Sequence, residues 1–330
     1  MQRTCYNLFS AIILFTCLYG CTKGQTIPEI KYQILHSNTE YPDSSFFKEI
    51  SCMYYEDGKL YTFDKSRGDV GIWETESNIF YTVGKIGEGP AEASYPVGFY
   101  VQEDTISILD GGSLSLKHHT KNGFIKSTQT QSVSDNRFFI DKDTIYMSAI
   151  SDSSCYAKFN KNWERTNINE IKTGGTFFQI VKDWGMNYVR NQRHLVKGKD
   201  CFYAISSNYP IIEQYDLHTN SLLESYDLSN VEFIHKTLDY IKENTKSEKN
   251  VFIFIKDIYW NNDNLYILCA NWENGYHVNT ILVINDTEAM KPIHTIKLPD
   301  EIYTTIAINN DEIFAGNYTR CSIDMYHIVK

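Results

Sequence analysis

Residues 87–123 read GEGPAEASYPVGFYVQEDTISILDGGSLSLKHHTKNG. Tyr95 to Val101 reads as one strand, with a polar turn ending in Asp104 behind it. Thr105-Ile106-Ser107-Ile108 then alternates with the period of two that a half-buried strand requires. Leu114 to His118 and Phe124 to Thr128 supply a third and a fourth strand, separated by the turn Lys121-Asn122-Gly123. Turns this short join antiparallel neighbours, so the stretch is a four-stranded meander.

The unit recurs along the chain. An apolar strand, a polar turn ending in Asp and an alternating strand appear at Asp57-Gly58-Lys59-Leu60-Tyr61, Asp104-Thr105-Ile106-Ser107-Ile108 and Asp143-Thr144-Ile145-Tyr146. They return at Asp200-Cys201-Phe202-Tyr203, Asp263-Asn264-Leu265-Tyr266 and Asp311-Glu312-Ile313-Phe314. Third strands are read at Val70–Trp73, Leu114–His118, Cys155–Phe159, Ile211–Tyr215, Thr280–Ile284 and Ser322–Ile328. Fourth strands are read at Ile79–Val83, Phe124–Thr128, Thr166–Ile171, Leu222–Leu228 and Pro292–Leu298. Six meanders in series predict an all-β fold, a six-bladed β-propeller of four-stranded antiparallel blades. The sixth unit has three strands of its own, and one orphan strand, Ile30–Leu35, precedes the first unit. Placing that strand at the outer edge of the last blade removes two exposed sheet edges.

Two stretches fall outside the repeat. Residues 172–190 enlarge the connection between blades three and four. Residues 231–249 carry Val231, Ile234, Leu238 and Ile241 at helical spacing, which predicts a short helix between blades four and five that packs against the propeller.

The run 82–90, TVGKIGEGP, has the glycine density of a phosphate-binding loop. Such a loop needs G-x-x-x-x-G-K-[ST] and a following helix. Here Pro90 and Ala91 follow Gly89 and the next element is a strand, so the glycines serve the crossing from blade one to blade two. With Gly87, Gly89, Pro90, Pro96, Asp110 and Gly123 in place, residues 87–123 resemble the Gly-x-Gly-Pro-Gly-x-Phe…Pro…Asp…Gly repeat of six-bladed, NHL-like propellers, in particular the propeller lipoproteins of Bacteroides-type bacteria. Ala91 stands where that repeat often has glycine, and Ser94-Tyr95 where it often has phenylalanine. The resemblance implies a fold and a cell-envelope location, and names no activity.

The N-terminus agrees with that location. Arg3 and the apolar Leu8–Tyr19 make a signal peptide over residues 1–20; the apolar run is shorter than the roughly 20 residues of a spanning helix. Leu18-Tyr19-Gly20-Cys21 resembles a lipobox, which would make Cys21 the lipidated first residue, with 21–29 as a polar tether and 30–330 as the propeller. Thr22, Lys23, Gly24 and Gln25 contain no acidic cluster resembling a surface-export signal, so the expectation is a monomer on the outer membrane facing the periplasm, attached to the membrane by lipid alone. The formal net charge is −10, which excludes a nucleic-acid partner, since phosphate contacts need clustered Lys and Arg. Besides Cys21, the cysteines beyond the signal are Cys52, Cys155, Cys201, Cys269 and Cys321. No CxxC pair occurs, so no zinc ribbon or redox motif is expected, while one disulfide stays open.

Candidate chemistry is confined to the loops between second and third strands, which share a face with the glycine crossing. They offer Arg67, Asp110, Tyr209, Trp272, Asn317 and Arg320, a set of aromatics, amides and arginines suited to a glycan, a peptide or an envelope protein. The bland reading is polar loop tips. The recurrent Asp57, Asp104, Asp143, Asp200, Asp263 and Asp311 are hairpin residues, no carboxylate set. His118-His119 point to opposite faces of a strand, and neither HExxH nor GxSxG occurs. The expectation is therefore a lipid-anchored binding or scaffolding module without cofactor, catalytic set or metal. The competing expectation is a metal-dependent hydrolase or lyase, lactonase-like or amidating-lyase-like, with His and Asp from different blades meeting in the channel.

Overall fold

The protein is described here from a computed structural model covering residues 24–130, 133–148, 156–160, 192–244, 252–272, 275–287 and 290–329. The two-residue hairpins that open each meander set its geometry. Asp57 and Gly58, Glu103 and Asp104, and Asn262 and Asp263 all take positive φ, the I′-type turn whose twist matches that of antiparallel strands. The Asp turns anticipated from the repeat are these corners.

The chain forms six antiparallel sheets. The first blade is β2 (Ile50–Glu56), β3 (Lys59–Asp64), β4 (Asp69–Glu74) and β5 (Ile79–Val83). The second is β6 (Pro96–Gln102), β7 (Thr105–Asp110), β8 (Ser115–Thr120) and β9 (Gly123–Gln129). The third has three described strands, β10 (Phe139–Asp141), β11 (Thr144–Ser148) and β12 (Tyr156–Asn160). The expected strand 166–171, the insertion 172–190, the loop 151–153 and Cys155 lie outside the described residues. The fourth blade is β13 (Arg193–Lys197), β14 (Cys201–Ser206), β15 (Ile211–Asp216) and β16 (Leu222–Asp227). The fifth is β17 (Ile255–Asn261), β18 (Asn264–Asn271), β19 (His277–Asn285) and β20 (Lys291–Lys297). The sixth is β21 (Tyr303–Asn309), β22 (Glu312–Asn317), β23 (Ser322–Ile328) and, outermost, β1 (Tyr32–Asn38). β1 starts two residues later than its apolar pattern indicated and pairs antiparallel with β23.

The core lies between the blades. Tyr61, Phe63, Phe99 and Ile106 join blades one and two; Leu109, Leu116, Ile145 and Met147 join two and three. Phe139, Tyr146, Phe202 and Tyr215 fill the next gap and Ile205, Ile212, Ile258 and Ile267 the one after. Met53 and Leu60 share the largest cluster with Leu268 and Val283 of blade five and Ile306 and Phe314 of blade six. Burial falls from inside to outside within a blade: β21 is almost wholly buried, while β16 alternates and β9 is nearly all exposed. The sequence pattern follows, because an inner strand covered on both faces has no polar side to show.

Helix α1 (Glu232–Asn244) occupies the predicted place between blades four and five. Val231 and Ile234 are buried, and Leu238 and Ile241 pack beside them on the cluster of Leu228, Ile255 and Ile258, so its apolar stripe is spent on the propeller. No helix among the described residues is long and apolar enough to cross a membrane.

Residues 24–29, expected as part of the tether, and Ile30 are docked. Gln25 donates its N–H to Asn230 O at 2.6 Å and accepts from Glu232 N at 3.1 Å, and the Thr26 hydroxyl donates to Glu232 Oε2 at 2.6 Å. Ile30 N–H donates to Thr295 O and Thr295 N–H to Pro28 O, both at 2.8 Å, so the segment runs against the outer strand of blade five. In the sixth blade the buried Asp324 gathers Ser37, Asn317, Arg320, Ser322, Tyr303 and Tyr326 around one carboxylate. Ser37 belongs to β1, so the outermost strand shares this network. Cys52, Cys201, Cys269 and Cys321 are free thiols.

Candidate funnel at the propeller mouth

The glycine crossing has a structural role. Lys85 pairs with Glu92 at 2.6 Å and Gly89 N–H donates to Glu92 Oε2 at 3.0 Å, so the loop closes on its own carboxylate. A Cβ at Gly87 would collide with that carboxylate, and one at Gly68, where φ is +70°, would collide with Ile86. No anion cradle is left.

The inner strands carry a feature that their sequence did not announce. In blades one, two, five and six the register slips between Ile50 and Cys52, Pro96 and Gly98, Ile255 and Asp257, and Tyr303 and Thr305. Each slip is a bulge at the same end of the strand. A bulge inserts one residue and re-aims it. The inserted residues Ser51, Val97, Lys256 and Thr304 all line one funnel of about 660 Å³.

Every blade contributes to this funnel. Glu49 and Cys52 come from blade one, Asn136, Arg137 and Phe138 from the entry to blade three, and Gln192, His194, Ser207 and Asn208 from blade four. Ile253, Asp257 and Tyr276 come from the fifth blade and its entry, and Ile302 and Tyr318 from the sixth. Its volume lies within the range of sites for small ligands.

The floor is a buried ion pair between blades three and five. Arg137 Nε donates to Asp257 Oδ1 at 2.5 Å and Nη2 to Oδ2 at 2.7 Å. Asp257 also accepts from the Thr305 hydroxyl at 2.6 Å and from Ile306 N–H at 2.8 Å. The guanidinium lies 4.7 Å from the Tyr54 ring centroid and 5.5 Å from that of Tyr259. Burial opposes the charge on Asp257, but the charge and hydrogen bonds of Arg137 outweigh it and hold the carboxyl below its ordinary range. Beside the pair, burial pulls His194 down to about 4, so its imidazole is neutral at physiological pH. Burial raises the Cys52 thiol to about 12, so it is no thiolate nucleophile.

Four funnel residues keep a buried polar atom without a hydrogen-bond partner among the described residues: Asn136 Nδ2, Arg137 Nη1, His194 Nδ1 and Ser207 Oγ. Each such atom costs about 1–3 kcal/mol, so four of them on residues lining one funnel are unusual for inert packing. Funnel charge is balanced, with Lys65, Arg137 and Lys256 against Glu49, Asp135 and Asp257. Six of the seven exposed aromatic side chains among the described residues occupy connections on this face: Phe46, Tyr95, Tyr209, Tyr240, Tyr276 and Tyr318. A second depression of about 830 Å³ lies between blades one and six on the other face, around Tyr55, Trp73 and Phe314. It is larger, yet none of its lining residues holds an unpartnered buried atom.

The six positions picked from the sequence sit around the funnel, and none lines it. Arg67 pairs with Asp69 at 2.8 Å and donates to Ser45 Oγ at 2.7 Å. Asp110 closes its own loop, accepting from Tyr95 N at 2.8 Å and from Gly112 N at 3.1 Å. Asn317 and Arg320 both serve Asp300 and Asp324. Trp272 stacks on Tyr240 at 5.2 Å and meets Tyr276 at 4.9 Å. Tyr209 is exposed on the same face. Their neighbours Lys65, Asn208, Tyr276 and Tyr318 line the funnel instead. Among the described residues no three His, Cys, Asp or Glu side chains converge as metal ligands, so the channel geometry expected of a metal-dependent hydrolase is not found there.

Comparison with solved structures shows the fold. A protein from Bacteroides fragilis NCTC 9343, described as exported, is 12% identical, with a TM-score of 0.59 over 92% of this chain and 99% of its own. A member of the DUF4221 family from Bacteroides vulgatus ATCC 8482 is 10% identical, with a TM-score of 0.56 over 91% and 98%. A streptogramin B lyase is 10% identical, with a TM-score of 0.50 over 91% and 97%. No family model and no curated protein sequence matches the chain.

Proposed function

We propose that the protein is an exported, lipid-anchored binding module of the cell envelope whose funnel seats a neutral, hydroxyl-rich ligand, a short glycan. The observation that carries this is that four residues lining one funnel each keep an unpartnered buried polar atom, beneath a rim of exposed tyrosines. A neutral polyol supplies both donors and acceptors to Asn136, Arg137, His194 and Ser207 without disturbing the balanced charge. Its C–H faces stack on Tyr276 and Tyr318, above the buried Arg137–Asp257 pair. The anchor reading rests on the signal peptide and lipobox-like run ending at Cys21, and an exported location agrees with what is said of the Bacteroides fragilis neighbour.

The test is a titration of purified protein with neutral oligosaccharides, and separately with charged peptides, followed by calorimetry and thermal shift. A ligand of native state alone raises stability by about 2.7 kcal/mol at 100 times its Kd. The reading expects a neutral glycan to bind, and Tyr276→Ala or Tyr318→Ala to abolish binding while leaving the unliganded midpoint in place. Binding of charged peptides alone, or binding indifferent to both tyrosines, overturns it.

A further inference from the structure

The docked N-terminal segment fixes more than its own position. At Gly24 a Cβ would stand 2.7 Å from Glu232 Cα, so the backbone lies directly on the start of α1. Gln25 and Thr26 then bond to residues 230–232, and residues 28–30 bond to Thr295 of β20. From Gly24 onward this chain has no slack. Cys21 lies three residue steps earlier, and a chain spans at most ~3.5 Å per residue, so an acylated Cys21 sits within about 11 Å of that contact. The polar headgroup layer is itself roughly 5–7 Å deep on each side of a bilayer. Acyl chains in the hydrocarbon therefore leave little room between the bilayer and the rim at blade five and α1.

The surface of that rim suits such a neighbour. Lys31, Lys236, Lys291 and Lys297 are exposed around the docked segment, and Lys236 and Lys297 line the same shallow depression as Gln25, Thr26 and Glu29. Glu29 and Glu232 stand among these lysines and Lys236 pairs with Glu232 at 3.1 Å, so the rim is of mixed charge, with four lysines exposed on a chain whose net charge is −10. Anionic headgroups attract basic residues held at the membrane surface.

The geometry points to this rim as a membrane-docking surface: the propeller sits edge-on, with blade five and the N-terminal end of α1 against anionic lipid. The assignment rests on lipidation at Cys21, the anchor half of the proposed function, and is independent of the ligand in the funnel.

Lysine footprinting tests it on the native protein. Acylated full-length protein is placed in phosphatidylethanolamine–phosphatidylglycerol vesicles and acetylated with an N-hydroxysuccinimide ester, and each lysine is followed by mass spectrometry. The reference is a variant with about 15 Gly/Ser residues inserted before Gly24, which gives roughly 20 Å of flexible reach. Lys31, Lys236, Lys291 and Lys297 should react severalfold more slowly in the native protein than in the spacer variant. Lys121 and Lys126 of blade two should react alike in both. Equal rates at all six lysines, with an acyl group found on Cys21, overturn the docking surface and leave the anchor standing. Absence of an acyl group on Cys21 removes the anchor reading, and this assignment with it.

Discussion

Arg137, at the entry to blade three, holds Asp257 of blade five through two parallel hydrogen bonds of 2.5 and 2.7 Å, and neither residue is open to solvent. Thr305 links the pair onward, because its hydroxyl donates to Asp257 and accepts from Met53 N–H of blade one at 3.1 Å. One ion pair thus ties blades one, three, five and six beneath the funnel.

Removing one partner should cost more than removing both. Asp257→Ala leaves a buried guanidinium without a counter-charge, and a loss of about 3–5 kcal/mol is expected in urea unfolding. The double variant Arg137→Met, Asp257→Leu should recover a large part of that loss. Equal destabilisation by the single and double variants would show that the two side chains do not act as a pair.

Stability should fall as the pH drops from about 6.5 to 4. His194 and His118 are both held near 4 by burial, against an ordinary value of 6.5. Between those values the unfolded chain binds protons that the folded chain refuses, so each histidine's contribution is complete above 6.5 and lost on acidification. At 1.36 kcal/mol per unit the fully buried His194 is worth on the order of 3 kcal/mol, and the part-exposed His118 less. His194→Gln should flatten that limb of the curve of unfolding free energy against pH.

Asp324 should hold β1 in place. Its carboxylate accepts from Ser37 Oγ at 2.7 Å as well as from five donors within its own blade. Asp324→Ala removes this shared acceptor, although Asn317, Arg320 and Tyr303 keep Asp300, and about 3 kcal/mol of destabilisation is expected. Hydrogen exchange should quicken first in residues 32–38. Unchanged exchange there would mean that backbone pairing with β23 suffices.

Two glycines with the same backbone should respond differently to alanine. Gly58 has φ +75° with nothing near its absent Cβ, whereas Gly68 has φ +70° and Ile86 against it. Gly58→Ala should cost about 1 kcal/mol for the left-handed backbone alone, and Gly68→Ala about 3 kcal/mol once Ile86 must move. Similar losses at both positions would contradict the crowding at Gly68.

The blades were legible because their information is local. Asp104 at a corner and Ile106 and Ile108 on one face say "hairpin" within a few residues, and Val231, Ile234, Leu238 and Ile241 say "helix". The funnel was not legible for the opposite reason. Arg137 and Asp257 stand 120 positions apart, and no spacing rule connects them. One trace was present: Asp257, set in the apolar run Ile255–Trp260 of an inner strand, is a charge where only burial awaits it, and so demands a distant partner. The six loop positions sit around the funnel, whose lining includes their neighbours Lys65, Asn208 and Tyr318. The bulges that bring Ser51, Val97, Lys256 and Thr304 to the funnel leave no compositional mark either.

The sharing of the sixth sheet between both ends of the chain sets a timetable for biosynthesis. Ser37 meets Asp324 across 287 positions. A polypeptide made N-terminus first delivers β1 early and its mate β23 late. Until then β1 has neither its ladder nor its carboxylate acceptor, so the sheet waits for β23 to emerge. Non-local pairing of this kind is slow to form. A chaperone that shields an extended, unpaired strand until its mate is made is therefore the kind of helper whose loss this protein should feel most.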